Sequence, residues 1–203
     1  MKRLLIFGLI IAMLGLLNTG CSGDGTVTAG VYTGNMIVKK MPVIDLMKKA
    51  LDDPGSFREL TEEEGSACEG MDLNDEQIRE QIQEALDKGK EIIGVKIPLT
   101  ITVKDKEGEL SAFVKANIAA AFPDEECEEA HDEEFELEYG PGTIKLINIS
   151  EQQEGVKSIT VYEGRILKDG TLEGTFKMMI DSEEYKEYAD SDEVMSGTWK
   201  AVP

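Results

Sequence analysis

The side chains able to do covalent or coordination chemistry are few and scattered. They are three cysteines, Cys21, Cys68 and Cys127, and one histidine, His131. Nucleophilic catalysis needs a base held against the nucleophile by a third group, and His131 is the sole imidazole on hand. It stands among Glu128, Glu129, Asp132 and Glu133, a charged stretch that reads as solvated rather than as the wall of a catalytic cleft. With 41 carboxylates in the chain, no pair singles itself out for general acid–base work. Neither a glycine-rich phosphate loop nor a catalytic signature is present. The expectation is a protein that is not an enzyme and carries no cofactor.

Metal binding is weighed separately. Cys127 and His131 are four apart, and a helical turn there would put both on one side, with nearby carboxylates to complete a zinc site. Two acidic stretches, residues 124–138 and Asp190-Ser191-Asp192-Glu193, could attract calcium. Neither has the glycine at the sixth and glutamate at the twelfth position of an EF-hand loop. The expectation is solvated acidic loops and no metal site.

The carboxylates matter more as a field. Residues 124–138 hold ten acids and no Lys or Arg, and the whole chain sets 41 acids against 21 bases, a net charge of −20. That excess repels phosphates, so nucleic acid is not expected as a partner, and it gives no polybasic attraction to anionic lipid headgroups. It could attract a basic protein or cations.

The N-terminus supplies an address. Met1-Lys2-Arg3 is positive, residues 4–17 are uncharged and mostly Leu, Ile, Met and Gly, and Asn18-Thr19-Gly20-Cys21 closes the run with small residues and a cysteine. The apolar run is shorter than the ~20 residues a spanning helix needs, and its order is that of a secretory signal. Ending on Gly20-Cys21, it resembles a bacterial lipoprotein signal peptide. Asn18 stands where that pattern has leucine or another small or apolar residue. The resemblance implies a signal peptide over residues 1–20 and lipidation of Cys21, which becomes the anchor to a membrane of the cell envelope. Ser22, rather than Asp, in the next position favours the outer membrane where the host has one. The alternative is a soluble periplasmic or secreted form. Residues 21–28 are small and polar and read as a flexible tether. The mature chain then keeps 41 acids against 19 bases, because only Lys2 and Arg3 leave.

With Cys21 assigned to lipid, Cys68 and Cys127 remain in an oxidising compartment, where two thiols more often pair than stay free. A disulfide between them would stabilise by roughly 4 kcal/mol in the chain-entropy account. Two free thiols remain the alternative.

The rest of the chain builds a β domain over residues 29–203. After a first strand ending near Lys40 comes a helical insertion, residues 41–90. Val43, Leu46, Met47, Ala50 and Leu51 fall on one helical face after Pro42. Ile78, Ile82, Ala85 and Leu86 do so in a second helix, capped by Asn74 and ended at Gly89. The period then becomes two. Val95 to Val103 and Leu110 to Ala120 alternate around Asp105-Lys106-Glu107-Gly108 as a long hairpin, with residues 116–121 read as strand despite their alanines. Five further strands follow to Val202, punctuated by Gly140-Pro141-Gly142, residues 151–155, Lys168-Asp169-Gly170 and an acidic loop, residues 181–193. Short links make sequence neighbours antiparallel partners. The expected fold is mainly β, an antiparallel up-and-down barrel of about eight strands. An open meander packed on helices (α+β) is the alternative.

One sequence echo favours closure. Glu173-Gly174-Thr175-Phe176-Lys177 recurs as Ser196-Gly197-Thr198-Trp199-Lys200, and strand glycines suit the bends of a small barrel. With Val31-Tyr32-Thr33-Gly34 near the start, these strands resemble the lipocalin-like (calycin-type) barrels of bacterial lipoproteins. That resemblance implies a lumen for a small apolar ligand, lined by the face of Leu172, Gly174, Phe176, Met178 and Ile180 with Met195, Gly197, Trp199 and Ala201. Phe176, Met178 and Trp199 are the candidate ligand-binding residues, and a solid side-chain core is the competing use of that face. Two other functions remain open: an acidic interaction or inhibitor protein acting on a basic partner, and a structural envelope lipoprotein without ligand.

Overall fold

In a computed structural model, residues 25–52, 75–121, 131–153, 156–182 and 191–203 are described. The strands are β1 (Gly30–Lys40), β2 (Lys96–Lys106), β3 (Glu109–Ala116), β4 (Glu133–Gly140), β5 (Thr143–Gln153), β6 (Val156–Ile166), β7 (Leu172–Asp181) and β8 (Glu193–Val202). Every strand pairs with its sequence neighbours, and β8 pairs back onto β1 through registers such as Met36 with Trp199, giving a closed eight-stranded antiparallel barrel. Closure removes both sheet edges, and the up-and-down order is the one that short links dictate.

The repeated motif shows how the barrel bends. In the β7–β8 register Gly174 lies opposite Trp199, and Gly197 lies opposite Phe176. A side chain at Gly174 would collide with the Glu163 carbonyl oxygen, and one at Gly197 with that of Ile37. Each motif therefore supplies a glycine that lets a neighbouring strand close in and an aromatic ring that covers the other's glycine, the pairing that rescues glycine within a sheet.

The barrel has two different ends. At one, the strands meet in tight turns. Glu107 and Gly108 both take positive φ (59° and 90°), the conformation of a two-residue hairpin turn. Gly108 N–H donates to Asp105 Oδ1 at 2.9 Å. Asp169 Oδ1 accepts from Thr171 N–H at 2.9 Å. That backbone donor is the main reason the Asp169 carboxyl is held below its usual range. Across this end lies the segment before β1. The Gly25 carbonyl accepts from Gly142 N–H at 3.1 Å, and Val27 is buried in the barrel core. The Tyr32 hydroxyl donates to the Thr28 carbonyl at 2.9 Å and accepts from Thr28 N–H at 3.3 Å. Residues 25–28, whose composition suggests a free tether, are thus a strap sealing the barrel. We call this the closed end.

The other end, the mouth, carries the helices α1 (Val43–Asp52), α2 (Asp75–Ile92) and α3 (Ile118–Ala121). α1 packs against α2, burying Ile44, Ile82 and Leu86, none of which belongs to the barrel core. The hairpin touches that core through its roots, Met41 and Ile92, both partly buried against it. Narrow apolar faces explain the arrangement, because each helix satisfies the other and neither fills the lumen. Two boundaries differ from expectation. Gly89 does not end α2, which runs on to Ile92; it sits inside the helix, beside Ile44 and Met41. Ala85 is exposed rather than part of the packed face. The alanine-rich stretch after β3 is helical, not strand. Asn117 Oδ1 accepts from Ala120 N–H at 3.0 Å, a side-chain N-cap that starts a turn of helix.

Candidate functional site

Inside the barrel, burial is complete from the closed end to mid-height. Ile101, Ala112, Leu146, Ile166, Leu172 and Ala201 are 0 % exposed. Four aromatic rings form a layer above them, with Tyr162 at its hub. Its ring centroid lies 5.7 Å from Phe135, 5.7 Å from Phe176 and 5.9 Å from Trp199, within the range of favourable aromatic pairs. Trp199 Nε1–H donates to the Thr175 carbonyl at 3.0 Å. The Tyr162 hydroxyl has Met36 Sδ at 3.7 Å as its partner, a weak acceptor. Burial pushes the Tyr162 hydroxyl's pKa well above its ordinary value, and the nearby Glu133 charge adds to the effect.

Above this layer the two sides of the lumen differ. On the β1–β2 side, Val38 and Ile97 stay buried close to the helix roots. On the β5–β8 side, the inward positions are only half-buried, and they form two rows fixed by strand register. Asn148, Thr160, Met178 and Met195 pair in turn across four strands, and Ser150, Ser158 and Ile180 form the next row toward the mouth. The wall is polar on β5 and β6 and apolar on β7 and β8. Asn148 Nδ2 donates to the Glu134 carbonyl at 2.8 Å, holding the end of β4. Glu133 continues the inward alternation of β4 past Phe135, so its carboxylate stands at the rim of this wall.

On β5 and β6 the usual polarity is inverted near the mouth. Ile147, Ile149, Ile159 and Val161 take the outer face, with Ile149 at 61 % exposure, while Asn148, Ser150, Ser158 and Thr160 face in. The Asn148 amide is partnered by the Glu134 carbonyl, and the hydroxyls of Ser158 and Thr160 stand on the inner face beside the apolar side chains of β7.

Of the three ligand candidates read from the sequence, Phe176 (1 % exposed) and Trp199 (3 % exposed) belong to the packed aromatic layer. Met178 lies in the half-open wall above it. The alternation in β7 and β8 brings Ile180 and Met195 to the same wall. Sequence reading missed Asn148, Ser158, Thr160 and the hub Tyr162, because alternation alone assigns the inner face of those strands to Ile147, Ile149, Ile159 and Val161. Cys21, Cys68 and Cys127 lie outside the described residues, and so do the lipidation and disulfide expectations. Among the described residues no three His, Cys, Asp or Glu side chains converge as a metal site.

The two ends also differ in charge. Among the described residues, the segments joining elements at the mouth (residues 41–52, 75–95, 117–121, 131–132, 182 and 191–192) contain 10 acids and 5 bases, a net −5. The described closed-end segments (residues 25–29, 107–108, 141–142, 167–171 and 203) contain 2 acids and 1 base, a net −1. The strands balance at 11 acids and 11 bases. On the strands the charges pair at the surface, as where Glu173 meets Arg165 at 2.7 Å and Lys200 at 3.4 Å.

No protein-family model, curated protein or solved structure matches this chain.

Proposed function

We propose that this protein is an exported lipoprotein, anchored to a membrane of the cell envelope through lipid on Cys21, whose barrel receives a small amphiphile at its mouth. The supporting observation is the half-open inner wall. Met178, Ile180 and Met195 offer an apolar surface directly beside Ser158 and Thr160, with Asn148 on the next strand. An eight-stranded barrel has room for side chains alone or for one small ligand, and this barrel divides the two uses by height. Glu133 stands at the rim, and no Lys or Arg occupies a described inward position of β4 to β8. The polar end of the ligand is therefore uncharged or cationic, and a fatty carboxylate is disfavoured.

The test is a titration of the mature domain with the neutral dye Nile red, followed by displacement with a monoacylglycerol and with the corresponding fatty acid. The neutral lipid is expected to displace the dye, and the fatty acid to do so poorly. Absence of dye binding, together with an empty protein in native mass spectrometry, would overturn the reading. Palmitate labelling of wild type against Cys21→Ser tests the anchor, and an unlabelled wild type would remove it.

A second reading is favoured by the mouth-end charge: an interaction or inhibitor protein that docks a basic partner there. A partner recovered at low salt and lost on neutralising the acids of residues 124–133 supports it. Recovery indifferent to that change contradicts it.

A further inference from the structure

We infer that the closed end of the barrel is the membrane-facing surface, with the mouth and its acidic connections directed into the aqueous phase. The inference rests on the anchor at Cys21 and adds an orientation that the anchor alone does not supply. Two independent observations carry it.

The first is reach. The strap fixes the chain at Gly25, whose carbonyl accepts from Gly142 N–H in the β4–β5 turn at 3.1 Å. Val27 is buried and Thr28 is held by the Tyr32 hydroxyl. Cys21 precedes Gly25 by four residues, which span at most about 14 Å when fully extended. A ten-residue strand tilted as in an eight-stranded barrel gives a height of roughly 25 Å. The tether is too short to run from the closed end past the mouth, so an anchored barrel cannot stand mouth-down.

The second is charge. With −5 in the described mouth-end connections and −1 in those of the closed end, the net negative charge of the described connections lies toward the mouth. Anionic headgroups repel the mouth at contact. At the height of the barrel the same charges lie more than two screening lengths away, since that length is about 8 Å at physiological salt. Electrostatics and tether length select the same pose. The ligand site then opens away from the bilayer holding the protein, and exchange takes place with soluble carriers or an opposing membrane.

The test uses the full chain in membranes from its own expression host, supplemented with a phospholipid carrying a headgroup photo-crosslinker, and maps cross-linked peptides by mass spectrometry. Cross-links are expected several-fold more often on the turns at residues 107–108, 141–142 and 168–170 than on α1 and α2. A palmitate-labelled, membrane-bound chain cross-linked chiefly through α1 and α2, or equally at both ends, would overturn the orientation while leaving the anchor standing. An unlabelled chain absent from the membranes would remove the anchor and the orientation with it.

Discussion

The closed end and the mouth are built from the same eight strands, yet they solve opposite problems. At the closed end short turns, a strap and fully buried aliphatic side chains fill the lumen. At the mouth the inner wall of β5 to β8 is half-buried and half polar, the helices pack on one another instead of into the lumen, and the described connections carry more negative charge. The lesson is that full burial and half-burial are separated by height on the β5–β8 side of the barrel, with the Tyr162 aromatic layer as the divide.

That comparison can be broken most directly at the divide. Phe176→Ala removes a ring from the packed layer and is expected to cost about 3–5 kcal/mol. Met178→Ala, two residues up the same strand in the half-open wall, should cost under about 2 kcal/mol, because less burial is lost. Urea denaturation of both variants measures the difference, and equal losses would mean the upper lumen is as solid as the lower.

The layer should also show itself in alkali. Burial raises the Tyr162 hydroxyl above its ordinary value of 10.0, so the unfolded chain gives up this proton first. The stability tied to it is fully present below pH 10 and falls as pH climbs from there toward the raised folded value. In Tyr162→Phe the alkaline decline should flatten. A decline unchanged in that variant would assign it to other groups.

A smaller effect is expected at the strap. Tyr32→Phe deletes the hydroxyl shared with Thr28 and should cost about 0.5–1.5 kcal/mol, with faster hydrogen exchange at the Gly142 amide. Unchanged exchange would separate Tyr32 from the seating of Gly25. The smallest change lies in the helical hairpin. A methyl at Gly89 would sit in ordinary contact, 3.6 Å from Ile44, so Gly89→Ala should stabilise by about 0.5–1 kcal/mol. Destabilisation there would mean the two helices pack more tightly than described.

The barrel itself was legible because its information is local. Short links force neighbouring strands into antiparallel pairs, and the Gly-Thr-aromatic echo marks the strands that bend most. What stayed hidden depended on side-chain partners that hydrophobic alternation does not encode. Gly89 reads as a helix stop until Ile44 is seen beside it. Residues 116–121 read as strand because alternation outweighs one asparagine, although Asn117 is a sound cap. Residues 25–28 read as a tether because nothing local announces Tyr32 as the holder of Thr28. The candidate site was legible on β7 and β8, where inward apolar residues follow the rule, and illegible on β5 and β6, where the rule is inverted. Inversion becomes readable only once closure of the barrel fixes which face is inside.

The central claim, that the inner wall above the aromatic layer is a ligand site, is tested most directly by Nile red affinity in three proteins. These are the wild-type domain, Met178→Arg in the wall, and Val31→Arg on the outer surface near the closed end, where Val31 is 54 % exposed. The account predicts one dye per wild-type barrel, unchanged binding in Val31→Arg and a loss of at least tenfold in Met178→Arg, the ~1.4 kcal/mol that burying an arginine in the site should exceed. Equal affinity in all three proteins would contradict it.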